Sequence, residues 1–79
     1  MNDYQTLLYE IGGGNNTVCR ITLNRPDKYN AIDRQMSKEL TDAFRRVRDE
    51  TSVGVVVLAG AGEKAFCAGG DLSVFPSLA

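Results

Sequence analysis

Between positions 53 and 59 the chain reads Val53-Gly54-Val55-Val56-Val57-Leu58-Ala59, apolar throughout and rich in β-branched side chains. A strand with one wet face alternates apolar and polar residues. A strand that does not alternate has both faces covered, as in a parallel sheet flanked by helices. The run therefore predicts a buried central strand with a parallel neighbour, and parallel neighbours need a crossover connection. The preceding segment supplies one. Ile32, Met36, Leu40, Ala43 or Phe44, and Val47 recur at three- and four-residue steps, which predicts a helix from Arg34 to about Glu50. Asp33 stands where an N-cap would accept from the unpaired amides of the first turn. Asp42–Arg46, Arg45–Asp49 and Arg46–Glu50 sit one turn apart and read as a solvated, charge-paired outer face.

Upstream of the helix, Thr17–Leu23 predicts a strand with Cys19, Ile21 and Leu23 on one face and Val18, Arg20 and Thr22 on the other. Residues 6–11 predict another, with Leu7, Tyr9 and Ile11 opposed to Leu8 and Glu10. Gly12-Gly13-Gly14-Asn15-Asn16 lies between them. Residues that tolerate positive φ in such a run make it a hairpin loop. A glycine-rich loop also suits phosphate, but no helix start follows to back it with a dipole. The second strand ends at Asn24-Arg25-Pro26-Asp27-Lys28, where Pro26 cannot donate to a ladder and biases Arg25 toward an extended backbone. The expected fold is α/β: an antiparallel β-hairpin followed by a right-handed βαβ unit. All 79 residues make one partial domain, too small to bury more than roughly 60–65% of its unfolded surface.

Composition removes several function classes. Nine basic against ten acidic residues leave a net charge of −1, without the basic excess of a nucleic-acid protein. No apolar run reaches the ~18–20 residues of a membrane span, and Met1-Asn2-Asp3-Tyr4 lacks the basic start of a signal peptide. A cytoplasmic setting is expected. Cys19 and Cys67 have no metal-ligand spacing and read as free thiols. The absence of histidine removes the commonest general base and the usual nucleophilic triads.

The loop leaving the central strand carries the chemistry. In open α/β sheets, ligands bind outside the carboxyl ends of the strands. There the chain reads Gly60-Ala61-Gly62-Glu63-Lys64, then Ala65-Phe66-Cys67-Ala68-Gly69-Gly70-Asp71-Leu72. A phosphate loop fails, because Glu63 precedes Lys64 and Ala65 follows it. The loose dinucleotide fingerprint Gly60-x-Gly62-x-x-Ala65 is met, but the paired Gly69 and Gly70 make a poor helix opening, each costing roughly 1 kcal/mol against alanine. Gly69-Gly70-Asp71 is either a tight turn that starts a short helix or a turn whose glycine N–H points outward unshielded. Such an amide can hold a developing oxyanion, and one good donor is worth roughly 3–4 kcal/mol of barrier.

Two stretches carry a family resemblance. Ile21-Thr22-Leu23-Asn24-Arg25-Pro26-Asp27-Lys28-Tyr29-Asn30-Ala31-Ile32 resembles the early signature of the crotonase (enoyl-CoA hydratase/isomerase) superfamily. Val53–Gly62 with Lys64–Leu72 resembles its second signature, in the same order and with a helix of suitable length between. The resemblance runs from about Tyr4 to Leu72 and implies the N-terminal portion of a crotonase-type spiral fold. It implies an acyl-CoA thioester as ligand, with coenzyme A as part of the substrate and no separate cofactor or metal. It assigns to Gly70 one of two backbone N–H donors for an enolate-like oxyanion. Ala68 and Leu72 match positions lining the thioester and pantetheine path, with Asp71 as a structural neighbour rather than a base. Lys28, Tyr29 and Ala31 match the loop that contacts the adenine and pantetheine, largely through backbone. Arg25 and Lys64 are candidate contacts for CoA phosphates, with Lys64 equally readable as a solvated loop charge.

No position here corresponds to the family's second donor or its catalytic carboxylates, and Glu63 is no substitute. Hydration, isomerisation, dehalogenation, ring cleavage and thioester hydrolysis stay open, with fatty acid metabolism the setting the resemblance implies. The expectation is an acyl-CoA-binding piece of such an enzyme with no turnover alone, and with a homo-oligomer or a completing polypeptide covering the exposed strand edge. A non-catalytic acyl-CoA-binding or assembly module and a ligand-free structural remnant are the alternatives.

Overall fold

The computed structural model describes residues 4–63, 66, 67 and 69. Four elements organise them: β1 (Leu7–Gly12), β2 (Val18–Leu23), α1 (Arg34–Arg48) and β3 (Val55–Gly60). The sheet order is β1-β2-β3. β1 and β2 pair antiparallel, from Leu7 opposite Leu23 to Gly12 opposite Val18. β2 and β3 pair parallel, from Val18 beside Val55 to Leu23 beside Gly60. This is the hairpin and the strand–helix–strand unit expected from the sequence. The hairpin loop closes through a 3-10 turn at Gly14–Asn16, with positive φ at Gly13, Asn15 and Asn16.

Alternation places the core where the sequence puts it. Leu7, Cys19, Ile21 and Leu23 turn one face of the hairpin toward Met36 and Ala43 of α1, all of them buried. Removing side chains such as Leu7, Ile21 and Leu23 from water contributes roughly 1.5–3 kcal/mol each. Asp33 caps α1, its Oδ1 accepting from Met36 N at 2.8 Å. The helix ends at Arg48, two residues before the expected Glu50. The Asp49 and Glu50 amides reach back three residues, to Arg46 O at 3.2 Å and Val47 O at 3.1 Å, and tighten the last turn.

A buried carboxylate docks the helix on the segment entering β1. Glu39, 7% exposed, accepts from Thr6 N and Thr6 Oγ1 at 2.8 Å each and from Gln5 N at 3.1 Å, with the Gln35 amide as a further donor. Burial pushes its pKa up, but these donors outweigh burial and hold it below the ordinary carboxylate value. About two turns further along α1, Arg46 lies over the Tyr9 ring, 4.4 Å from the centroid. Burial, followed by the Cys19 thiol, pushes the Tyr9 hydroxyl up to about 12.

The central-strand expectation is corrected. Val55, Val56, Val57 and Leu58 are 55%, 41%, 36% and 43% exposed. A helix with its side chains is about 10 Å across, and strands lie roughly 4.8 Å apart, so one helix covers about two strands. The core seats α1 over β1 and β2. No layer among the described residues covers β3.

Candidate functional site

Parallel pairing brings the carboxyl ends of β2 and β3 to one end of the sheet, so the loops that follow them meet. The ladder continues one step past the strands, with Ala61 N donating to Leu23 O at 2.7 Å. After β2 the chain makes a 3-10 turn at Pro26–Lys28 and then two left-handed residues, Tyr29 (φ 53°) and Asn30 (φ 57°). Lys28 N and Asn30 N both donate to Arg25 O, at 2.9 and 2.8 Å, and Ala31 N donates to Lys28 O at 3.0 Å. The loop is thus wound tightly, with its middle pushed outward. Lys28 is exposed and the Tyr29 side chain is 50% exposed.

Arg25 turns inward. Its Nη1 donates to Ala31 O and lies 3.5 Å from Asp33 Oδ2, with the side chain only 16% exposed. The guanidinium therefore braces the loop against the helix cap. Asp33 uses one oxygen for the cap and the other for Arg25, so the helix start and the loop share one carboxylate.

Asn30 joins this loop to the one after β3. It is fully buried. Its Oδ1 accepts from Arg25 N at 2.8 Å, and its Nδ2 donates to Ala61 O at 2.9 Å. Further along, Ile32 N donates to Gly69 O at 2.8 Å. Gly60 has no room for a side chain: a Cβ there would lie 2.4 Å from Phe66 O and 2.9 Å from Asn30 Nδ2. Gly62 adopts φ 84°, and a Cβ on it would meet Pro26 Cβ at 2.9 Å. The two loops are in backbone contact, and the glycines permit the approach.

Lys28, Tyr29, Ala31 and Arg25 therefore gather on one loop, tied at Ile32 to the residue just before Gly70. Lys64, Ala68, Gly70, Asp71 and Leu72 lie outside the described residues. Cys67 is partly buried against the core, and its Sγ accepts from Gly69 N at 3.4 Å. No cluster of metal-ligating side chains occurs among the described residues. No helix among them is long and apolar enough to cross a membrane. Sequence reasoning missed Asn30 as a joint. Asparagine suits a left-handed position, and that signal was present. Its burial and its bond to Ala61 were not readable.

The family model for enoyl-CoA hydratase/isomerase matches residues 13–77. Solved structures agree. An enoyl-CoA hydratase/isomerase from Mycobacterium paratuberculosis is 36% identical with a TM-score of 0.80, over 92% of this chain and 27% of its own. The Pseudomonas aeruginosa protein AtuE is 44% identical with a TM-score of 0.78, over 92% of this chain and 27% of its own. An enoyl-CoA hydratase from Mycobacterium tuberculosis is 33% identical with a TM-score of 0.80, over 91% and 27% respectively. The chain spans about a quarter of the length of the proteins it matches.

Proposed function

Because this chain belongs to the enoyl-CoA hydratase/isomerase family, we propose that the two joined loops bind an acyl-CoA thioester and present one backbone donor, Gly70 N–H, to its carbonyl oxygen. The carrying observation is the Ile32 N to Gly69 O bond of 2.8 Å, which ties the Lys28–Ala31 loop to the residue before the proposed donor. In this reading Lys28, Tyr29 and Ala31 hold the CoA portion, largely through backbone. Ala68, Asp71 and Leu72 flank the thioester, and Lys64 meets a phosphate. Arg25 serves as an internal brace, because its guanidinium is engaged by Ala31 O and Asp33.

An amide aimed at a thioester oxygen matters most as negative charge develops there, since the donor is already in place and needs no reorganisation. The proposal assigns binding and one such donor to residues 1–79. It assigns them no general acid or base, so the chain alone binds acyl-CoA without turning it over. Calorimetry with a short acyl-CoA tests the binding: heat saturating below millimolar ligand is expected, and none at millimolar ligand refutes it. Gly70→Pro then removes the amide hydrogen. Weaker binding of an enolate-mimicking acyl-CoA analogue is expected, and equal binding by the folded variant would rule out the donor role.

A further inference from the structure

The site is made from two loops remote in sequence, and its spacing depends on what holds them apart and together. The Asn30 amide stands at that joint, fully buried, with one end on Arg25 N at 2.8 Å and the other on Ala61 O at 2.9 Å. A buried amide is costly unless both ends are hydrogen-bonded, and this one bonds to a different loop at each end. Its slot is exclusive, because the facing position is Gly60, where a Cβ would come 2.9 Å from Asn30 Nδ2. The left-handed backbone, φ 57°, is what aims the side chain back between Arg25 and Ala61.

We propose that Asn30 is a positioning residue, a rigid strut that sets the spacing between the Lys28–Ala31 loop and the Gly60–Gly69 loop. It thereby keeps the CoA-holding loop in register with Gly69, the residue before the proposed donor. The effect on ligand rests on the function proposed above, whereas the strut itself does not. With the strut in place, the Ile32 N to Gly69 O bond forms across a preset gap. Without it, the loops keep the ladder bond at Ala61 and the Gly62–Pro26 approach, but lose the side-chain link that holds the Lys28–Ala31 loop to Ala61.

Asn30→Gly in the 79-residue chain tests this, since glycine keeps the left-handed backbone at no steric cost and removes the side-chain bonds to Arg25 N and Ala61 O. Hydrogen exchange should show the Ile32 amide losing protection about tenfold or more, while the Leu40 and Ala43 amides of α1 keep theirs. Coenzyme A alone, held in this reading by the Lys28–Ala31 loop, should weaken less than an acyl-CoA analogue. An enolate-mimicking acyl-CoA analogue should weaken by about tenfold, the scale of one lost hydrogen bond. Asn30→Asp is the second variant, for the case that Asn30→Gly does not fold. Its carboxylate still accepts from Arg25 N but does not donate to Ala61 O. Protection at Arg25 should persist while that at Ile32 falls. Unchanged Ile32 protection in a folded variant overturns the strut, and equal weakening of coenzyme A and analogue overturns its positioning role. A wild-type chain that binds neither ligand overturns the proposed function instead, and the Ile32 exchange then decides the strut alone.

Discussion

Glycine 60 shows how much of the site rests on a missing side chain. A Cβ there would sit 2.4 Å from Phe66 O, a backbone atom that cannot swing aside. Gly60→Ala is expected to cost about 1–3 kcal/mol through forced backbone displacement. Urea unfolding measures it, and a loss under a few tenths of a kcal/mol would mean that the loops yield easily. Glu39 gives a pH prediction at the same scale. Its folded pKa lies below the ordinary carboxylate value. A depressed carboxyl contributes stability that is fully present above its unfolded pKa and is lost as pH falls through the folded one. The urea midpoint should therefore fall as pH drops from about 5 toward 3. Glu39→Gln should flatten that fall while lowering stability at neutral pH. An unchanged pH profile in Glu39→Gln would place the acid sensitivity elsewhere.

For the elements, α1 carries the most legible signals and also the least expected load. Its apolar spacing and Asp33 cap were readable from the sequence, and the structure bears out both. The cap also holds Arg25, so loop and helix share one carboxylate. Asp33→Ala is expected to lower stability by about 1 kcal/mol from the cap alone. Asp33→Asn, which keeps a capping oxygen, should lose less. Thermal unfolding followed by circular dichroism distinguishes them, and equal losses would assign the effect to the ion pair. Glu39 lies on the same helix and was not singled out, because its donors Gln5 and Thr6 are more than thirty residues away. Local spacing carries no information about such a partner.

Across the whole molecule, the sheet is covered unevenly. α1 closes the hairpin face, and β3 stays exposed at Val55, Val56, Val57 and Leu58. Its outer edge has no partner among the described residues. Exposed apolar edges pair with other chains. The chain should self-associate at micromolar concentration, and Val57→Lys should reduce that association. A monodisperse monomer by light scattering, for the unmodified chain, would refute the expectation. The strand has the composition of a buried one, yet no layer among the described residues covers it.

By itself the sequence determined the strands, the helix, the hairpin and the order of the two signature loops. Those follow from period-two and period-3.6 patterning and from turn residues, which act over a few neighbours. It also carried the family, because the two signatures are written contiguously in the chain. Only the tertiary structure decided which side chains meet across the site. It turned Arg25 inward to Ala31 and Asp33, set Asn30 between two loops, and left β3 uncovered. Each of these depends on contacts between residues far apart in the chain, or on how many strands one helix can span.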